Sequence, residues 1–397
     1  MSSPIEMRGK RKSLADAFDN LELTSASSST PSSSPRKRTM MVQGLHNTIS
    51  KAWPSQSHRD TENVPMTVRA DDIYRQYAYD QDPKKLFEKA TNWITAIQTT
   101  APDNAQKGII ANEIEETMVR AIFGSNMIER AGLGWDITVQ LCKRIFAGED
   151  IGVVSERDTS YQLALLDLYR QQPGLRDMPS QYILRGRNEI VQHAKAFQYL
   201  IHAFVVEKQD ITEDLIKTTH KILTKGVPIV EPDMPDVLPE KYGGVYRTVI
   251  VGAGTTNFTV PSFIPAQMKQ MCDDLTQDIA TAEKQNTIDP FSIASKYSLE
   301  FVSIHPFQDG NGRLCRMILN TILCRYAGII IPIGEQGEER TEYMGIKKRA
   351  SQDMEGHGEY ATFVLQRAVT RLREMKKKLA GKHTKHTKGK AANKTDN

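Results

Sequence analysis

The sequence predicts a mostly α-helical protein with one β-hairpin, on three observations. Apolar residues recur every three or four positions in several separate stretches, the signature of helices that bury one face. Helix-ending residues punctuate those stretches, notably Pro306 and Gly328. Strand-favouring residues concentrate in one place, around 245–260.

Residues 1–68 are rich in Ser, Thr and Pro, densest from Ser25 to Ser34, with too few apolar side chains for a core; they are expected to be disordered. Two basic clusters there, Lys10 to Lys12 and Arg36 to Arg38, fit either nuclear localisation signals or a solvated charged tail. Residues 69–186 read as a helical extension: Ile73 and Tyr77, then Leu86, Trp93, Ile94 and Ile97, then Ile110, Ile114, Met118 and Ile122, with breaks at Gly124 and Gly132. Residues 187–375 read as a second helical unit. Its first helix runs from Arg187 to about Glu207, with Ile190, Ala194, Phe197, Leu200, Ile201 and Phe204 on one face. The next opens at Thr212, a capping residue with Asp214 close behind.

At Gly243 and Gly244 the pattern changes. Val245, Tyr246 and Arg247, continuing through Val251, form an expected first strand; Gly252 to Asn257 form a turn, and Phe258 to Val260 a second strand. A lone hairpin is marginal, so it must lie against the helices. It fits a plain structural hairpin or an edge on which a target peptide adds itself as a strand. Helix resumes over Pro265 to Ala282, and again with Ala294, Tyr297, Phe301 and Ile304, stopping at His305 because Pro306 disfavours helix in the residue before it. Leu314, Met317, Ile318, Ile322, Leu323 and Tyr326 mark a further helix, buried on most sides and ending near Gly328. Residues 376–397, rich in lysine, are expected to be a disordered tail.

A chain of 397 residues can bury a sizeable core. The formal charge of +4 sits mainly at the ends, so a nucleic-acid-binding core is not indicated. Cys142, Cys272, Cys315 and Cys324 show no paired metal-ligand spacing and fit reduced thiols in small core positions. No apolar run approaches the roughly twenty residues that span a bilayer, and no signal-peptide apolar region opens the chain. A cytoplasmic or nuclear protein without a membrane partner is expected.

The chemistry concentrates in His305 to Arg316, which reads His-Pro-Phe-Gln-Asp-Gly-Asn-Gly-Arg-Leu-Cys-Arg. Gly310, Asn311 and Gly312 at a helix start present backbone N–H groups with the positive end of the helix dipole behind them, an anion cradle. Arg313 and Arg316, three apart on that helix, add fork-shaped donors for phosphate oxygens. Asp309 is the single carboxylate of the loop, suited to a magnesium ion that keeps several waters and bridges substrate phosphates. His305 at the mouth can accept a hydroxyl proton at neutral pH. Together these residues describe phosphoryl or nucleotidyl transfer.

The same stretch resembles the signature of the Fic-domain (Fido) family, His-Pro-Phe-x-Asp/Glu-Gly-Asn-Gly-Arg-x-x-Arg, at every fixed position. Gly244 to Arg247 resembles that family's target-binding flap, and Glu342-Tyr343 followed by Phe363 its closing helices; the likeness covers about Arg187 to Arg371. It implies a Fic-type helical bundle and transfer of AMP from ATP, with Mg2+, to a Ser, Thr or Tyr hydroxyl of a protein substrate. In that reading His305 is the base, Asp309 holds the metal, Asn311 and the loop N–H groups steady the α-phosphate, and Arg313 and Arg316 grip the outer phosphates. Tyr343 would lie near the adenine. Ser125-Asn126-Met127-Ile128-Glu129 is similar to the family's inhibitory motif, which implies that Glu129 pairs with Arg316 and blocks productive seating of ATP. Arg130 departs from that motif, where Gly or Asn is usual. Family members often dimerise, so a homodimer is possible. Two alternatives stay open: a deAMPylase that removes AMP from a modified protein, and a nucleotide-binding scaffold without transfer activity.

Overall fold

The computed structural model describes residues 74–78, 81–99, 104–153, 159–230, 235–253, 256–352 and 356–392, and helix dominates them. The segment 1–68, with its basic clusters, lies outside the described residues. In chain order the helices are α1 (Pro83–Thr99), α2 (Asn104–Ile128), α3 (Trp135–Phe146), α4 (Thr159–Tyr169), α5 (Ser180–Ile201), α6 (Glu213–Leu223), the single turn α7 (Pro239–Tyr242), α8 (Ile264–Lys284), α9 (Pro290–Ile304), α10 (Asn311–Ala327), α11 (Gly337–Gln352) and α12 (Gly358–Ala392).

The pair α9 and α10 forms the centre. On one side α2 and α5 pack against α10; on the other, α8 and α12 pack against α9. Local chemistry sets the ends of this pair. Asp289 caps α9, its Oδ1 accepting the N–H groups of Phe291 and Ser292, each at 3.1 Å, with Pro290 preset at the first helical position. Pro306 stops α9 at the expected residue. Gly328 stops α10 with φ 64°, a left-handed conformation that costs glycine little. Between those ends Phe291, Tyr297, Phe301, Leu314, Ile318 and Ile322 are fully buried. Each such side chain contributes about 1.5–3 kcal/mol through removal from water. Thr212 caps α6 as expected, accepting the N–H of Leu215 at 3.2 Å.

Several expectations are corrected. No break interrupts α2 at Gly124. Glycine is there because a Cβ would stand 2.5 Å from the carbonyl oxygen of Ile333, so the residue permits close packing rather than a turn. The helix α5 opens at Ser180 and runs through residues 186 and 187, and the hydrophobic core takes in residues from Tyr74 to Leu379. The strands expected over 245–251 and 258–260 do not form. Instead β1 (Gly252–Ala253) and β2 (Thr256–Asn257), two residues each, pair antiparallel inside the predicted turn. The segment on either side is held by a side chain, Arg247, rather than by a ladder. The helix α12 extends to Ala392, and its part up to Leu379 packs on the bundle: Met375 and Leu379 are buried, Lys376 lies 4.5 Å over the Trp93 ring and Lys378 pairs with Glu113. No helix among the described residues is long and apolar enough to cross a membrane.

Candidate active site

The loop 305–310 joins α9 to α10 and is shaped by side chains within and beneath it. His305 takes φ 52°, a left-handed conformation that costs a non-glycine residue about 1–3 kcal/mol. Arg247 holds it there: its backbone N–H donates to the Pro306 carbonyl at 2.9 Å and its Nε to the His305 carbonyl at 2.7 Å. The remaining guanidinium donors of Arg247 reach the carbonyls of Val249 (2.8 Å) and Thr259 (2.5 Å), so one buried side chain ties both arms of the flap to the loop. Asn311 turns back on the loop, accepting the Phe307 N–H at 3.0 Å and donating to the Phe307 carbonyl at 2.8 Å. These two bonds close the turn around Phe307.

Phe307 is fully buried and anchors the loop. Its ring stacks on His220 at 3.7 Å and 4°. His220 accepts the Gly244 N–H at Nδ1 (2.9 Å), which fixes the tautomer; Nε2–H then donates to the Asp309 carbonyl at 2.9 Å. Burial lowers the pKa of this imidazole to about 4, so it is neutral and joins flap, loop and α6. Sequence reasoning missed His220. The available signal was a histidine on the apolar face of α6, one turn from Ile216 and from Leu223.

The His305 ring stacks on Phe258 at 3.8 Å and 16°. Its Nδ1 lies 3.2 Å from the Val302 carbonyl, which can only accept, so Nδ1 carries the proton and Nε2 holds the free lone pair. Burial, reinforced by the charges of Arg247 and Lys347, lowers its pKa to about 4. The ring is a neutral base across the physiological range.

Beyond it, Asp309 accepts the Gly310 N–H at 2.6 Å and pairs with Arg313 at 3.1 Å. Burial alone would raise its pKa, but Arg313 and the Gly310 N–H hold it below the ordinary carboxylate value. No group of three or more His, Cys, Asp or Glu able to enclose a metal occurs among the described residues. An ionised Asp309 lining an open cleft nevertheless fits magnesium, which needs only one or two protein carboxylates when phosphates supply other ligands.

Arg316 is 4 % exposed and is gripped by α2. Nε donates to Ser125 Oγ at 2.8 Å; Nη2 donates to the Ser125 carbonyl at 3.0 Å and to Glu129 Oε1 at 2.6 Å. The Glu129 pKa is lowered, since Arg316, Arg313 and Lys347 outweigh the effect of burial. This carboxylate stands directly over the first turn of α10: a Cβ added at Gly312 would lie 1.9 Å from Glu129 Oε1. Arg130, just after Glu129, has φ 54°, which explains the usual Gly or Asn at this position; the helix ends there regardless, with the Arg130 N–H on the Met127 carbonyl and the Ala131 N–H on the Asn126 carbonyl.

Tyr343 is fully buried, its hydroxyl 3.5 Å from Arg316 Nη1 and 3.1 Å from Lys347 Nζ. It therefore packs behind Arg316 and presents no open face to a base. On the flap, Val245 is exposed and Tyr246 donates to Glu213 at 2.7 Å while lying under Lys217.

A helical bundle whose central loop sets a neutral histidine beside an arginine-flanked helix N-terminus defines a fold class with an anion-handling site. In comparison with known proteins, residues 210–323 match the Fic/DOC family, a span that takes in the loop and most of α10. It is 27% identical over 164 residues to protein adenylyltransferase fic-1 of Caenorhabditis elegans, covering 40% of this chain and 28% of that one. It is 30% identical over 168 residues to protein adenylyltransferase Fic of Drosophila melanogaster, covering 42% and 30%. The match thus spans less than a third of the length of these relatives. Among solved structures, a Fic-domain-containing signaling protein from Bacteroides thetaiotaomicron superposes with a TM-score of 0.52 at 17% identity, over 75% of this chain and 97% of that one. Fic-1 of C. elegans gives 0.50 at 19%, over 74% and 71%. These likenesses show the fold.

Proposed function

We propose that this protein is a protein adenylyltransferase that moves AMP from ATP to a Ser, Thr or Tyr hydroxyl of another protein, restrained by Glu129. The observation that carries the reading is His305: an imidazole held neutral, with Nε2 free, beside the N-terminus of α10. A pure nucleotide binder has no use for a base there.

The target hydroxyl gives its proton to His305 Nε2 while its oxygen bonds to the α-phosphorus, and the bond from that phosphorus to the bridging oxygen of pyrophosphate breaks. The first-turn N–H groups of α10, which have no partner within the helix, hold the oxygens of the transferred phosphate. Asp309 would hold magnesium, which neutralises charge on the phosphates. Arg313 and Arg316 bind the outer phosphates. Glu129 opposes this twice over, by saturating Arg316 and by placing its own carboxylate where an anion would approach Gly312. The exposed apolar side chains of Val245, Val249 and Ile250 suit the flap to an extended target segment.

A second reading, removal of AMP from a modified protein, draws support from Glu129 alone, whose carboxylate over the first turn of α10 is placed to orient a water. Incubation of a modified target and assay for released AMP separates the two directions. Transfer itself is tested with the Glu129→Gly protein and ATP labelled on the α- or the γ-phosphate. Label should enter protein only from the α position. Label entering from the γ position, or from neither, overturns the reading.

A further inference from the structure

Arg313 is 2 % exposed and gives one donor to Asp309, while its Nε and Nη1 have no hydrogen-bond partner. Asp309, Glu189 and Glu129 compensate its buried charge, but the two idle donors still lack hydrogen bonds to the described residues. These atoms are themselves buried, but Arg313 borders an open cleft of about 620 Å³ whose other wall is the start of α5 and the turn before it, including Met178, Tyr182, Arg185 and Glu189. That wall lies outside the span matched by the family.

Arg185 on this wall is aimed by its neighbour. Its Nε donates to Glu189 Oε1 at 3.1 Å, and Glu189 Oε2 in turn accepts the Gly132 N–H at 2.7 Å, so the acid is clamped from both sides. Pairing through Nε leaves the terminal nitrogens of Arg185 without a hydrogen bond to the described residues, and its charge reaches far enough to help hold Asp309 ionised. The carboxylates of the cleft are already engaged: Glu129 by Arg316, Asp309 by Arg313 and the Gly310 N–H, Glu189 by Arg185 and the Gly132 N–H. Asp177 is exposed at the rim. The described residues leave donor capacity unused on two guanidinium groups, Arg185 in the cleft and Arg313 buried at its edge, the chemistry that recognises a polyphosphate.

We propose that Arg185, oriented by Glu189, binds the pyrophosphate portion of ATP and completes a two-arginine clamp with Arg313. The proposal rests on the adenylyltransferase reading. Negative charge builds on the pyrophosphate oxygens as their bond to the α-phosphorus breaks, so a second fork there stabilises the leaving group as well as the bound nucleotide. The extension before the matched domain then supplies part of the site.

The test is isothermal titration calorimetry on the full chain carrying Glu129→Gly, with ATP, inorganic pyrophosphate and AMP as separate ligands in the presence of Mg2+. Adding Arg185→Gln should weaken ATP and pyrophosphate by about 10- to 100-fold, as expected for a lost charge-assisted hydrogen bond, and leave AMP within about twofold. Arg185→Lys should recover part of the loss, and the KM for ATP should rise more than kcat falls. Unchanged ATP and pyrophosphate affinities, or an equal loss for AMP, overturns the proposal while leaving the adenylyltransferase reading intact. Failure of the Glu129→Gly parent to bind either ATP or pyrophosphate defeats that reading and the proposal with it.

Discussion

His305 is neutral because burial disfavours its charged form and the neighbouring cations add to the penalty. Transfer by the Glu129→Gly protein should therefore stay level from pH 8 down to pH 6, because the lone pair on Nε2 is lost only as pH falls towards about 4. A rate profile that drops with a midpoint near the ordinary histidine value of about 6.5 would contradict this. Gly312 is the second sensitive residue. Gly312→Ala places a methyl group where the Glu129 carboxylate sits, so Ser125 and Glu129 must release Arg316 or α10 must shift. Nucleotide titrations should show whether release gains more than the narrowed cradle loses. Asn311 and Tyr343 illustrate how far spacing alone could reach. Their places in the chain were legible, but their partners were not: the Asn311 amide bonds the Phe307 backbone and the Tyr343 hydroxyl lies behind Arg316.

At the scale of elements, α9, the loop and α10 were legible almost to the residue. Pro306 and Gly328 act locally, and the apolar spacing of both helices is satisfied by packing on each other. Residues 245–260 read as a longer hairpin than forms, because a strand pattern does not reveal that one arginine will bind four carbonyls spread over residues 249–306. Arg247→Ala should free the flap and relax His305 from its left-handed conformation. A misplacement of about 1 Å costs on the order of 100-fold in rate, so kcat/KM for a target should fall by about that factor, and limited proteolysis should cut within 245–260. Activity retained within a few-fold would contradict that role. At the end of α2, Arg130→Gly removes a strained side chain, and urea denaturation should show a gain of up to about 1 kcal/mol.

Across the whole molecule, the cleft joins segments far apart in sequence: Glu129 follows α2, Arg185 lies on α5, and α10 carries Arg313, while His220 on α6 supports the loop from beneath. Contacts of that range leave no periodic mark, which is why His220, Arg185 and Lys347 escaped the sequence reading while the loop motif did not. They also tie stability to pH. His220 has a folded pKa near 4, below the unfolded value of about 6.5, so the unfolded chain binds more protons between those values. Its stabilising contribution is complete above about pH 6.5 and is lost as pH falls towards 4, at a cost of up to about 3 kcal/mol. Urea midpoints at pH 7, 6 and 5 should decline in that order, and flat midpoints would contradict the assignment. The central claim is that His305 performs the transfer and Glu129 restrains it. The most direct measurement compares protein-bound label from α-labelled ATP for the unaltered chain, Glu129→Gly, and Glu129→Gly with His305→Ala. Low, high and absent label in that order is the predicted result; equal label in all three contradicts it.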